Sequence, residues 1–131
     1  MDLKGITGKY EERGSWKDSD GESGNLEGNI QEIRFEENKL YFCYSDGEEC
    51  LVSEIIHSGD LPIRTSGNHG EGTLLIGADV VILEYEADID GRVERNTDIW
   101  TFSGDGVQRA GVIRQDKRVI WFEAQMIKIG S

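Results

Sequence analysis

The sequence predicts an all-β fold: an antiparallel up-and-down β-barrel of about eight to ten strands with little or no helix. Three observations support this fold class: apolar and polar residues alternate along most of the chain, two-residue turn signals recur, and 17 glycines accompany a single proline. A period of two is typical of strands with one dry face. Consecutive antiparallel strands leave two unpaired sheet edges, and closure into a barrel removes both.

Seven segments show the alternation clearly and are predicted to be the main strands. They are residues 28–35, 39–46, 48–57, 79–89, 92–103, 106–115 and 118–129. Weaker strands are expected at 5–12 and 71–76. A further strand is expected at 61–65, where Pro62 suits a strand start or a sheet edge.

Two stretches lack the alternation and are expected to be long loops. Residues 13–25 and 58–72 are rich in Gly, Ser and Asp, and loops of that length in a compact domain are often functional. We expect them to lie at an entrance to the barrel. No repeat or shift in composition divides the chain, so residues 1–131 are expected to form a single domain.

Tight turns between the strands predict the pairing register. Counting outwards from Asp90-Gly91 places Glu86 opposite Arg95, an opposite-charge pair that suits the solvent face. A bulge would reverse every face beyond it. Two-residue turns are expected at Glu37-Asn38, Asp46-Gly47, Asp90-Gly91, Gly104-Asp105 and Asp116-Lys117.

The same count assigns the side chains that point into the barrel. In the C-terminal half these are Val81, Leu83, Tyr85, Asn96, Asp98, Trp100, Phe102, Val107, Arg109, Ile113, Ile120, Phe122, Ala124 and Met126. The first hairpins add Gln31, Ile33, Phe35, Leu40, Phe42, Tyr44, Glu49, Leu51, Ser53, Ile55 and His57.

This interior is mostly apolar with a few polar groups, a mixture typical of small-molecule cavities. Asp98 and Arg109 are predicted to lie near Trp100, and we expect them to pair because burying either charge alone would be costly. The alternative is a polar network at a wet barrel rim. The residues expected to bind a ligand are Tyr44, His57, Tyr85, Asn96, Asp98, Trp100, Arg109 and Phe122.

Charge and hydropathy limit the partners. The net charge of −12, from 26 acidic and 14 basic residues, disfavours nucleic acid, anionic membranes and acidic substrates and favours a basic protein or a cationic small molecule. The alternative is that the acidity mainly confers solubility. The chain has no apolar run of about 18 residues, and the start MDLKGITGKY lacks the apolar stretch of a secretory signal. We therefore expect a cytoplasmic protein with no membrane partner.

The cysteines and histidines predict no metal site and no cofactor. Cys43 and Cys50 would face each other across the Asp46-Gly47 turn, so a disulfide is geometrically possible, but a reducing cytosol favours free thiols. The spacing C-x6-C has no second ligand pair. Neither His57 nor His69 has a second His or a Cys at ligand spacing.

Ile6-Thr7-Gly8-Lys9-Tyr10, followed by a meander of hairpins that ends in a long strand, resembles the calycin group of lipocalins, fatty-acid-binding proteins and their small bacterial relatives. In those families a G-x-W or G-x-Y element opens the first strand. The resemblance implies a barrel that holds a hydrophobic or amphipathic ligand. The chain departs from the pattern because 13–25 does not suit a two-helix lid and no helix follows the last strand.

Three function classes remain open. The leading one is a barrel that binds a small hydrophobic or amphipathic ligand, which can be cationic. The second is an acidic interaction protein of the immunity type that neutralises a basic protein; it predicts a filled core. The third is a small barrel isomerase or cyclase that uses Asp98 or His57 with Arg109; no catalytic residue is assigned, and a non-enzymatic role is favoured.

Overall fold

A computed structural model describes residues 1–44, 49–55 and 63–130. These described residues form a closed barrel of ten antiparallel strands, in which each strand pairs with its neighbours in sequence and the first strand closes on the last. The prediction of an all-β up-and-down barrel is confirmed. Nowhere in these three ranges does a helix occur that is long and apolar enough to cross a membrane.

The strands occupy most of the chain. They are β1 (Gly8–Asp18), β2 (Ser23–Glu36), β3 (Lys39–Tyr44), β4 (Glu49–Glu54), β5 (Ile63–Ser66), β6 (Gly70–Ile76), β7 (Val80–Ile89), β8 (Arg92–Ser103), β9 (Gly106–Arg114) and β10 (Val119–Gly130).

The predicted turns produce the predicted register. Asp90 and Gly91 have φ values of 54° and 80°, as a type I′ turn requires, and Ile89 pairs with Arg92 on either side of them. The Gly104-Asp105 and Asp116-Lys117 turns likewise give the expected pairings in β8–β9 and β9–β10. The Asp46-Gly47 turn lies outside the described residues, but the strands beside it pair in the register predicted from it.

The inward faces of the C-terminal strands are also as predicted. Trp100 pairs with Arg109, and Gly111 pairs with Phe122, so Trp100, Arg109 and Phe122 point into one space. The buried hydrophobic core consists of Ile6, Tyr10, Ile33, Leu40, Phe42, Leu51, Ile63, Leu74, Val81, Leu83, Trp100, Ala124 and Met126.

The two ends of the barrel differ. At one end, Leu3 and Ile6 pack against the core, and the Tyr10 hydroxyl donates a 2.7 Å hydrogen bond to the Ile6 carbonyl oxygen. We call this the closed end. The opposite end carries the β1–β2, β5–β6, β7–β8 and β9–β10 turns, and we call it the open end because the cavities described below lie there.

The prediction of a long loop at 13–25 was wrong. Residues 13–18 continue β1 and residues 23–25 begin β2, with only 19–22 between the strands. The Asp18 carboxylate accepts hydrogen bonds from the backbone N–H groups of Asp20 and Glu22, at 3.0 and 2.8 Å, and so stabilises this turn. The strand signal is weak because the inward positions here include Gly14 and Gly24 instead of apolar residues.

The prediction of a long loop at 58–72 was wrong for its described part. Residues 63–66 form β5 and residues 70–72 begin β6, so only 67–69 separate two strands. The start of that stretch, together with Pro62, lies outside the described residues. The weak strand expected at 71–76 is present as β6.

The expectation of free thiols was also wrong. Cys43 and Cys50 form a disulfide, and they are a direct register pair of β3 and β4. Directly opposed strand positions bring the two side chains within bridging distance.

Candidate functional site

A buried ion-pair network lies inside the barrel, and Arg109 is at its centre. The Arg109 guanidinium donates from Nε to Asp98 Oδ1 at 2.8 Å and from Nη2 to Asp98 Oδ2 at 2.8 Å. Its Nη1 donates to Glu12 Oε1 at 2.7 Å. The two-point contact with Asp98 is the strong, geometrically specific form of this interaction.

Burial and opposite charges act against each other on Arg109. Burial by itself would lower the pKa of Arg109, but the neighbouring carboxylates of Asp98 and Glu12 outweigh this effect and raise the pKa above its usual value. The guanidinium therefore stays charged. Glu12 is only 2% exposed and Asp98 only 8%, so the network lies in a region where an unpaired charge would be costly.

Aromatic rings surround the guanidinium. Its central carbon lies 4.7 Å from the centre of the Phe122 ring and 5.8 Å from the centre of the Trp100 ring. Trp100 in turn contacts the rings of Tyr10 and Phe42, at centroid distances of 5.7 and 5.8 Å. Trp100 is thus part of the core that supports the network from the closed end.

A cavity of about 370 Å³ lies between this network and the open end. Its walls are mainly apolar, with charged groups from Glu12 and Arg109 deep in the barrel and from Arg118 near the rim. The residues that line it are Glu12, Trp16, Leu26, Arg109, Ile113, Arg118, Ile120 and Phe122.

Two glycines allow large rings to lie against the cavity wall. A Cβ atom at Gly24 would be 2.5 Å from Nε1 of Trp16, and one at Gly111 would be 2.6 Å from Cζ of Phe122. Because neither Cβ exists, the Trp16 and Phe122 rings pack over the neighbouring strand. The space further inside the barrel therefore remains open.

A second ion pair stands at the rim. Arg118 donates from Nε and Nη2 to Asp18 Oδ2, at 2.8 and 2.7 Å, and its guanidinium lies 5.8 Å from the Trp16 ring. Burial would raise the pKa of Asp18, but hydrogen bonds from Arg118 and from the Glu22 and Asp20 backbone outweigh it and lower that pKa. This pair joins the β1–β2 and β9–β10 turns.

Two tyrosines occupy the other side of the open end. The hydroxyl groups of Tyr44 and Tyr85 lie 3.4 Å apart, and burial is the main cause of the raised pKa of each. Both line a smaller cavity of about 60 Å³, together with Glu49, His69 and Glu94.

The structure brings only part of the predicted site together. Asp98, Arg109 and Phe122 meet at the larger cavity or directly beneath it, with Trp100 below them, whereas Tyr44 and Tyr85 line the smaller cavity. Asn96 points inward between Tyr85 and Ile113, and its buried Nδ2 has no hydrogen-bond partner among the residues in the described ranges. His57 lies outside those ranges.

The ligand-binding residues predicted from the sequence did not include Glu12, Trp16 or Arg118. Glu12 was the last residue of a weak predicted strand, and Trp16 was placed in a loop. The sequence did contain a signal for a longer first strand. A period of two places four side chains on one face of it: Tyr10, Glu12, Trp16 and Asp18. Arg118 was assigned only to the start of a strand.

The ion pair with Arg109 limits the chemistry that Asp98 can perform. Both oxygens of Asp98 accept hydrogen bonds from Arg109, so Asp98 would have to give up an ion pair to act as a base. Within residues 1–44, 49–55 and 63–130, no group of three or more His, Cys, Asp or Glu side chains is arranged to hold a metal ion.

Comparisons with known proteins identify no relative. No protein-family model matches the chain, and neither a curated protein nor a solved structure matches it.

Proposed function

We propose that this protein binds a small amphipathic molecule in the cavity at the open end of the barrel. One observation carries the proposal: the lumen at this end is unfilled over about 370 Å³, although a charged network is buried next to it. Small-molecule sites in proteins commonly have volumes of roughly 300 to 1,000 Å³ and a few placed polar groups in an apolar wall.

The positions of the apolar and polar side chains in the cavity indicate how a ligand would be oriented. Leu26, Ile113 and Ile120 provide an apolar wall, whereas Glu12 and Arg109 place polar atoms deep in the barrel. A ligand would therefore bury an apolar body along the wall and direct a polar group towards Glu12. The Glu12, Arg109 and Asp98 side chains already hold one another in place. Ligand binding would therefore cost little side-chain conformational entropy.

A calycin-like relationship is part of the same proposal. A closed antiparallel barrel that takes its ligand into one end is compatible with that group, and Gly8-Lys9-Tyr10 stands at the start of β1. A cytoplasmic location likewise remains a prediction, and the Cys43–Cys50 disulfide does not support it because a reducing cytosol favours free thiols.

The cavity also helps to rank the alternatives. An acidic interaction protein was expected to have a filled core, so unfilled space at the open end favours a ligand-binding role. The isomerase or cyclase alternative needs a carboxylate or imidazole that is free to move a proton. The full engagement of Asp98 by Arg109 gives little support to the form of that alternative that uses Asp98, and His57, on which the other form depends, lies outside the described residues.

The experiment is a titration with the neutral fluorophore N-phenyl-1-naphthylamine, preceded by native mass spectrometry of freshly purified protein to detect a co-purifying molecule. We expect fluorescence enhancement that saturates at one fluorophore per barrel. Ile113→Trp, which fills the cavity, should abolish the enhancement. Val112→Trp adds the same side chain at the neighbouring outward position of β9 and should not. Equal binding by both variants would contradict the proposal.

A further inference from the structure

We infer that the ligand of this cavity carries a cationic nitrogen, such as an ammonium or amidinium group, that pairs with Glu12. This inference rests on the proposed function and adds to it the charge of the ligand and the residue that recognises that charge.

The first argument is the charge count of the buried network. Two carboxylates, Asp98 and Glu12, share one guanidinium, that of Arg109. Asp98 takes the two-point contact, while Glu12 receives a single ion pair through Oε1. The other Glu12 oxygen accepts a 3.2 Å hydrogen bond from the uncharged amide of Asn29. The network therefore has an excess of one negative charge, and that excess belongs to Glu12.

The second argument is the position of Glu12. Its side chain is 2% exposed, yet it lines the cavity. A carboxylate has about four acceptor positions, so Glu12 can accept a further hydrogen bond from a group inside the cavity. A buried carboxylate gains most from a partner that also supplies the missing positive charge.

The rim arginine does not supply that charge. Arg118 is engaged with the fully buried carboxylate of Asp18 and lies 4.0 Å from Glu22. Over the described part of the chain, the cation in an ion pair with Glu12 is Arg109.

An anionic ligand fits this cavity poorly, because the buried guanidinium is already paired with carboxylates. Nε, Nη1 and Nη2 of Arg109 already donate to carboxylates. A ligand carboxylate or phosphate at Arg109 would therefore lie beside Glu12 and Asp98 and be repelled by both. The net charge of −12 on the whole chain acts in the same direction, since it draws cations towards the barrel and repels anions.

The surrounding rings favour a cation as well. Guanidinium groups already lie over Phe122 and Trp16, at 4.7 and 5.8 Å from the ring centres. Both rings line the cavity, and the electron-rich face of an aromatic ring attracts positive charge.

The test uses three probes of one shape and different charge at pH 7: 4-phenylbutylamine, 4-phenylbutanol and 4-phenylbutyrate. Isothermal titration calorimetry gives a Kd for each probe with the wild-type protein. We expect the amine to bind at least about tenfold more tightly than the alcohol, which corresponds to about 1.4 kcal/mol, and the acid to bind most weakly.

Two matched variants then identify the residue that causes the preference for the amine. Glu12→Gln removes the charge inside the barrel, whereas Glu11→Gln removes the same charge from the outward-facing neighbour on β1. We expect Glu12→Gln to remove the preference for the amine over the alcohol. Glu11→Gln should retain the preference for the amine.

The possible failures are distinguishable. If all three probes bind equally, or the acid binds most tightly, the cationic ligand is ruled out while binding in the cavity stands. If the amine preference survives in Glu12→Gln, the role of Glu12 is overturned. If no probe binds, this inference is overturned, and the N-phenyl-1-naphthylamine titration decides separately whether the cavity binds a ligand. The wild-type comparison decides the ligand charge even if Glu12→Gln does not fold.

Discussion

Glu12 and Arg109 are 97 residues apart in the sequence and meet inside the barrel in a 2.7 Å ion pair. The contact spans the seam at which β1 closes on β10, because Glu12 lies on β1 and Arg109 lies on β9, the next strand beyond β10. The residue that we propose to recognise the ligand is thus held in place by the closure of the sheet.

Arg109→Met should strongly destabilise the protein. Without the guanidinium, the buried carboxylates of Asp98 and Glu12 have lost their shared counter-charge, and breaking a buried ion pair from one side costs about 3 to 5 kcal/mol. Urea unfolding followed by circular dichroism measures the loss. Arg95→Met is the control, since Arg95 is 71% exposed and its pair with Glu86 is superficial. Equal unfolding midpoints for the two variants would contradict the buried network.

Trp100→Ala should cost about 3 to 5 kcal/mol of folding free energy. Trp100 is 2% exposed and packs on Tyr10, Phe42 and Phe102, so its removal leaves a large hole in the core. Trp121→Ala removes the same side chain from the outer face, where it is 44% exposed. Thermal unfolding should show a large loss for the first variant and a small one for the second; the reverse order would show that the faces of β8 or β10 were misassigned.

Gly111→Ala should destabilise the barrel by roughly 1 to 3 kcal/mol. The new Cβ atom would lie 2.6 Å from the Phe122 ring and against the backbone oxygen of Thr97, which cannot move without disturbing the β8–β9 pairing. Gly104→Ala is the matched control, because a Cβ at Gly104 meets no atom within 4 Å. Chemical unfolding of both variants checks the difference, and a stable Gly111→Ala would refute the close packing of Phe122 on β9.

Glu37→Asn should stabilise the protein by about 1 kcal/mol. Glu37 has a φ of 52° in the turn between β2 and β3, a conformation that Asn tolerates better than Glu does. The same change at the neighbouring residue, Glu36→Asn, lies at a strand position and should give no gain. Differential scanning calorimetry compares the two variants. A lower melting temperature for Glu37→Asn would argue against the turn geometry.

Alkaline pH should destabilise the fold through its buried tyrosines. Burial raises the pKa of Tyr44 and Tyr85 above 10, so as the pH passes about 10 these tyrosines ionise more readily in the unfolded chain than in the folded one. The contribution of these two tyrosines to the free energy of unfolding is therefore fully present below pH 10 and is lost as the pH rises above 10.

Unfolding measured between pH 8 and 11 should show this loss, and Tyr44→Phe should reduce it. Tyr41→Phe, at an outward position of β3 between Leu40 and Phe42, serves as the control. The same pH dependence in wild type and Tyr44→Phe would contradict the buried position of Tyr44.

The C-terminal half of the fold was predictable because its signals are local. Asp90-Gly91 and the two later turns each specify a register, and the side chains of β7 to β10 alternate between apolar and polar in step with it. The pairing of Asp98 with Arg109 followed from that count. Residues 13–25 of the β1–β2 hairpin were predicted to be a loop because the stretch is rich in Gly, Ser and Asp, and Gly14 and Gly24 stand at inward positions where a strand pattern needs apolar residues. The role of these two glycines depends on the Ala124 and Trp16 side chains that fill the space beside them.

The sequence by itself determined the class of fold, the register of the strands on either side of its tight turns, and the inward direction of Asp98, Trp100, Arg109 and Phe122. These features depend on residues close together in the chain, where turn chemistry and a period of two act directly. Only the tertiary structure decided that Glu12 joins Arg109 and that a cavity remains above them. The pairing of β1 with β10 brings together opposite ends of the chain, and no local preference encodes which side chains meet across that seam.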